Sequence, residues 1–225
     1  MRRTKIKICG NTNKKDAVKL SKLPVDAIGF IVTKKDYPNK ISPVKARKVV
    51  TTLVPFISTV LGLSLEHRKI ENLYGLCQKV CPDILQIQHG GTKEEIEKIR
   101  NNLPWLKIIK TINVFDESAL GEVKSYYKVA DMILIDNKGS SKNKKLEFEK
   151  YLKIAKKITR NSPIPTMLAG GLNIDNIEKA ITTVHPYAVD LISGVETKPG
   201  KKDFHKVEKF ILKVQEVDGK IYVTN

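Results

Sequence analysis

The chain has 225 residues, enough for one substantial core, and 41 Lys and Arg against 24 Asp and Glu give it a formal charge of +17. That surplus favours encounter with anions, yet it is spread thinly and no helix-turn-helix, zinc-finger or aromatic RNA-binding motif accompanies it, which argues against a nucleic-acid partner. No run of about 18 apolar residues offers a membrane span, and three cysteines, at 9, 77 and 81, make neither a disulfide framework nor a zinc site.

The first apolar run, "TKIKIC" at 4–9, reads as a strand, and "NKKDAVKLSKL" after it has helical spacing. The same alternation continues with strands at 27–32, 56–63, 83–88, 106–114, 132–136, 165–170 and 189–194. Helical patterns lie between them, among them "SPVKARKVVTTL", "IENLYGLCQKVCP", "TKEEIEKIRNNL" and "NIDNIEKAITTV", with "KKDFHKVEKFILKVQEV" after the last strand. The basic run "KGSSKNKKLEFEKYLKIAKK" mixes in glutamates and reads as a loop entering a solvated amphipathic helix. Strands alternating with helices need crossover connections and therefore run parallel. Eight such units in this length predict an α/β fold, a (β/α)8 TIM barrel over residues 1–225 as a single domain, with an open doubly wound sheet as the alternative. The protein is expected to be soluble and cytoplasmic.

In such barrels the chemistry sits at the carboxyl ends of the strands. Cys9 ends the first strand candidate and Asp136 the sixth. Alternation along a strand puts Lys7 and Cys9 on one face, and a neighbouring ammonium favours the reactive thiolate. "LAGGLN" brings Gly170 and Gly171 to the end of the seventh strand, and "SGVETKPG" brings Ser193 and Gly194 to the end of the eighth. Glycines let backbone N–H groups approach an anion closely, and the loops after strands seven and eight are the usual phosphate cradle of this architecture.

These residues resemble a known family. "KICGNT", "AIGFIV", "ILID", "LAGGLN" and "YAVDLISGVETKPGKKD" are similar to the motifs of phosphoribosylanthranilate isomerase, in the family's order, from residue 5 to about 212. The resemblance implies an Amadori rearrangement in tryptophan biosynthesis: N-(5'-phosphoribosyl)anthranilate becomes 1-(2-carboxyphenylamino)-1-deoxyribulose 5-phosphate. It implies no metal and no coenzyme. Asp136 matches the family's acid, which protonates the furanose oxygen, and Cys9 matches its base, which removes the proton at C2. Lys7, Asn39 and Asp190 are the positions expected at the substrate.

Three stretches depart from the family. "DYPNKIS" puts Asn39 where an arginine usually grips the anthranilate carboxylate, with Lys34, Lys35 and Lys40 as the nearby cations. "QIQHGG" leaves open whether Gln88 or His89 fills a histidine position after the fourth strand, and "SSKN" at 140–143 replaces a glycine-rich loop. Two readings therefore stand: a divergent isomerase of this family, or a paralogue that binds or isomerises another phosphorylated sugar or has lost catalysis. Either is expected to take a phosphorylated small molecule, as a monomer or a homodimer.

Overall fold

A computed structural model describes residues 3–33, 37–66, 70–137 and 146–223. The strands are β1 (Lys5–Ile8), β2 (Ala27–Ile31), β3 (Ser58–Ser64), β4 (Ile84–His89), β5 (Lys107–Asn113), β6 (Met132–Asp136), β7 (Thr166–Leu168) and β8 (Ala188–Leu191). Between them run α1 (Lys14–Leu20), α2 (Pro43–Val50), α3 (Ile70–Val80), α4 (Lys93–Asn102), the short α5 (Ala119–Glu122), α6 (Phe148–Asn161) and α7 (Ile177–Val184). All eight strands are parallel and close into a barrel in chain order, which excludes the open sheet. Closure is made by β1 on β8, with Lys5 opposite Ala188 and Lys7 opposite Asp190.

The two-residue period of each strand divides its side chains between two shells. Ile6, Ile8, Ile28, Phe30, Leu61, Leu63, Leu85, Ile87, Ile133 and Ile135 point outward and pack under the helices in one large apolar cluster. The inward positions make a second cluster, built from Ala27, Val60, Ile109, Leu134, Met167 and Ala188, that fills the barrel's interior. Inward positions nearer the carboxyl ends change character: Lys7, Cys9, Gln86, Asp136 and Asp190 are buried there instead.

Helix starts fix where the strand-end loops stop. Asn13 accepts the Asp16 N–H at the head of α1, Ser42 precedes Pro43 at the head of α2, and Thr92 and Glu95 cap α4 reciprocally. Caps of this kind stabilise a helix by about 1 kcal/mol each.

β7 and β8 end two and three residues earlier than their apolar runs predict, because Gly170 and Gly171 have φ +89 and +89 and residues 193–195 form a single 3-10 turn. The segment from 201, read from sequence as helix, opens instead with an antiparallel hairpin, β9 (Glu196–Lys198) and β10 (Lys201–Lys202), before α8 (Phe204–Val223) begins. No helix among the described residues is long and apolar enough to cross a membrane.

Candidate active site

A cavity of about 540 Å³ opens among the carboxyl ends of the strands, with Cys9, Gln88, Asp136, Gly170, Asp190 and Ser193 in its wall. Cys9 follows β1 directly, and its N–H donates to the Leu191 carbonyl at 2.8 Å, which ties it to β8. Its sulfur lies over Gly29 of β2, where an added Cβ would stand 2.5 Å from Sγ. The glycine in "AIGFIV" is therefore a matter of room: any side chain there would displace the thiol.

Burial pushes the Cys9 thiol above its ordinary range, while Lys7 and Lys202 draw it down and Asp190 pushes it up. This corrects the expectation that Lys7 makes Cys9 a ready thiolate. Lys7 is 1 % exposed, and its Nζ lies 2.8 Å from Asp190 Oδ2. Its charge is shared with a carboxylate, and desolvation of the sulfur is the larger effect. Burial opposes the Lys7 ammonium too, but Asp190 and Cys9 outweigh it and hold its pKa up. Lys7 thus lies below the cavity wall and reaches the site through Asp190 and Cys9. Burial raises the Asp190 carboxyl against the pull of Lys7, and its Oδ1 has no hydrogen-bond partner among the described residues.

Asp136 closes β6 opposite Asn113. Gln88 Nε2 donates to its Oδ2 at 3.3 Å, and Gln88 Oε1 in turn accepts from Gln86 Nε2 at 2.8 Å and from Thr111 Oγ1 at 3.4 Å. The β3–β4 register shifts by one residue at Leu63 and Ser64, so that Ser64 pairs with His89. Alternation along β4 already places Gln88 on the inward face with Gln86, beside Asp136, and His89, after the shift, also lines the cavity.

Between the strands of Asp136 and Cys9, at the ends of β7 and β8, Gly170, Gly171 and Ser193 line the wall together. A Cβ at Gly170 would strike the backbone nitrogen of Asn137, so a side chain is excluded by space as well as by φ. Gly194 is packed against the Leu172 carbonyl and stands outside the wall.

Asn39 does not stand in for a carboxylate-gripping arginine. It lines the cavity but is buried, and its amide is committed to protein acceptors, Glu196 Oε1 at 2.6 Å and the Gly10 carbonyl at 3.4 Å. Lys34, Lys35 and residues 140–145 lie outside the described residues, and Lys40 is exposed. Two groups of residues escape sequence reasoning: the Gln86–Gln88 relay to Asp136, and Glu196 with Lys202, a buried pair 2.8 Å apart. The only local signal for the second is the motif "SGVETKPGKKD", which contains both residues without showing that they meet.

The family profile for N-(5'-phosphoribosyl)anthranilate (PRA) isomerase matches residues 6–213. A relative from Methanocella arvoryzae named N-(5'-phosphoribosyl)anthranilate isomerase is 31 % identical over 212 residues, 94 % of this chain and 98 % of its own. A solved phosphoribosylanthranilate isomerase in complex with reduced 1-(o-carboxyphenylamino)-1-deoxyribulose 5-phosphate superposes with a TM-score of 0.79 at 29 % identity, over 95 % of this chain and 99 % of that one. A structure of monomers generated from the dimeric Thermotoga maritima isomerase superposes with a TM-score of 0.78 at 28 % identity, over 95 % and 99 % of the two chains. The chain belongs to the N-(5'-phosphoribosyl)anthranilate isomerase family, the aldose–ketose isomerases of tryptophan biosynthesis.

Proposed function

We propose that this cavity carries out the family's rearrangement with Asp136 as acid and Cys9 as base. The observation that carries the reading is that these two groups, from non-adjacent strands, face one cavity whose remaining wall includes the glycine-rich ends of β7 and β8. Asp136 gives its proton to the furanose oxygen as the bond from that oxygen to C1 breaks, and the nitrogen lone pair closes an iminium at C1. The Cys9 thiolate then takes the C2 proton, and the C–H electrons form the enolamine double bond. Returning one proton to C1 and removing one from the C2 hydroxyl completes the ketose, with both groups back in their starting states.

The sugar phosphate is assigned to the backbone of Gly170, Gly171 and Ser193. Purified protein given freshly made phosphoribosylanthranilate is expected to abolish that substrate's fluorescence. Protein that is inert toward it while binding other sugar phosphates overturns the reading in favour of the paralogue.

The assembly state is inferred to be a homodimer. Phe56, with φ +69, is fully exposed in the turn before β3, and Trp105 is exposed in the turn before β5. Two large apolar side chains displayed at the amino end of the barrel, away from the site, suit contact with a second copy.

A further inference from the structure

The hairpin that follows β8 carries an ion pair that solvent does not reach: Lys202 is 0 % and Glu196 6 % exposed along the side chain. Burying both charges costs desolvation that a hairpin at the barrel rim could have avoided, so the pair invites a functional account. Glu196 Oε1 accepts three donors, from Lys202 Nζ at 2.8 Å, Asn39 Nδ2 at 2.6 Å and the Gly200 N–H at 3.2 Å. Lys202 Nζ spends another donor on the carbonyl of Cys9, at 2.6 Å. Asn39 spends its second on the carbonyl of Gly10. Two consecutive peptide carbonyls, those of Cys9 and its neighbour, are thus held by one network that joins the loops after β1, β2 and β8.

We propose that Glu196 and Lys202 are positioning residues for Cys9: Lys202 fixes the peptide that carries the thiol and presents a cation to it, while Glu196 holds Lys202 in place and moderates its charge. The proposal rests on Cys9 as the base. The charged and titratable groups around the thiol are Lys7 from its own strand, Asp190 from β8, Lys202 from β10, Tyr37 from the segment after β2, and Asp136 across the cavity, with Glu196 behind Lys202. Both cations have a carboxylate at 2.8 Å, Lys7 in Asp190 and Lys202 in Glu196. Lys202 is the one whose counter-ion comes from outside the barrel's interior, so its influence on the thiol is adjustable without disturbing the floor of the site.

A purely structural pair and a positioning pair predict different results. The test is the rate of iodoacetamide alkylation of the Cys9 peptide against pH, read by mass spectrometry, beside kcat/KM. Lys202→Met removes the cation and is expected to slow alkylation near neutrality by roughly tenfold, with the titration moved upward. Glu196→Gln leaves Lys202 uncompensated and is expected to move it downward. Lys202→Arg should keep the titration near wild type.

Should Lys202→Met fail to fold because Glu196 is left buried and alone, the double variant Lys202→Met/Glu196→Gln removes both charges. It is expected to titrate above wild type, since the lost cation is the nearer of the two. Folded variants whose Cys9 titration superposes on wild type, or single variants that both move the same way, overturn the proposal. Shifted alkylation without a matching change in kcat/KM supports the positioning and instead overturns Cys9 as the base, so the two failures are distinguishable.

Discussion

Gln88 Nε2 donates to Asp136 Oδ2 across 3.3 Å, so the residue read as the acid receives a hydrogen bond from a group that does not titrate. An amide donor favours the carboxylate over the carboxylic acid. Gln88→Leu removes that preference and is expected to move the acid limb of the kcat/KM profile to higher pH. Gln88→His should add a second ionisation to that limb, because imidazole titrates near pH 6.5. A profile unmoved by either change rejects the contact as a determinant of the acid.

The acid–base assignment predicts that Cys9→Ala and Asp136→Asn each lower kcat by roughly 10²- to 10⁴-fold with the fold retained. The working form has a proton on Asp136 and none on Cys9. A carboxyl ordinarily loses its proton before a thiol, and burial drives Cys9 further up. The working form and its more abundant counterpart therefore hold equal numbers of protons, and their ratio is constant between the two ionisations. The expected kcat/KM profile is a broad plateau with its alkaline fall at or above the ordinary thiol value of about 8.5. A fall beginning near pH 7 contradicts the raised thiol.

At the phosphate loops, Gly170→Ala forces a Cβ at φ +89 onto the backbone of Asn137. The expected result is a destabilised protein, by about 1–3 kcal/mol of backbone strain, with KM raised more than kcat is lowered. Soaked sulfate should settle on Gly170, Gly171 and Ser193. Sulfate found only elsewhere, or an alanine variant with wild-type KM, removes these residues from the cradle.

Lys110 offers a stability test far from the chemistry. It points outward from β5 into the shell under the helices. There its Nζ meets the Thr111 carbonyl at 3.0 Å and the ring of Tyr126 at 5.1 Å, with no ion pair among the described residues. Burial lowers its pKa below the ordinary 10.5. The unfolded chain therefore binds this proton more tightly than the folded one, and stability falls as pH drops through 10.5 to the folded value, staying reduced at neutrality. Lys110→Met is expected to raise the thermal midpoint at pH 7, by about 2–4 °C per kcal/mol recovered. The gain should vanish above the unfolded pKa. A lower midpoint in a correctly folded variant would show that the lysine's contacts outweigh its desolvation.

Phe56→Asp should lower the sedimentation-derived mass to that of one chain if the amino-end turns join two copies. Wild-type protein that sediments as a single chain at micromolar concentration ends the dimer reading.

Eight apolar runs and their spacing were enough to predict a closed barrel, because the outward shell and the crossover helices each leave a periodic trace in neighbouring residues. The places of Cys9, Asp136 and the glycines at strand ends followed from the same alternation. What could not be read are partnerships between loops distant in sequence: Asn39 meets Glu196 across 157 positions, and Lys202 meets the Cys9 carbonyl across 193. No local pattern records such a meeting. The hairpin at 196–202 is masked by the charged, helix-like composition that follows it, and the one-residue shift at the end of β4, after which His89 lines the cavity as well as Gln88, depends on its pairing with β3. Desolvation of Cys9 likewise belongs to the closed barrel and to no single strand.

The pairing of Lys7 with Asp190 joins the first strand to the last, and Thr4 is likewise bound to Asp218 of the final helix, at 2.8 Å through its N–H and 2.7 Å through its hydroxyl. A chain halted after seven strands would possess Asp136 and the Gly170 loop, yet Lys7 would have no carboxylate beside it and Cys9 no neighbour on one flank. Turnover is therefore a reporter of the closing stitch. On the ribosome, the amino-terminal strand emerges long before the partner that neutralises its lysine, and the enzyme comes into being only when that last strand is seated.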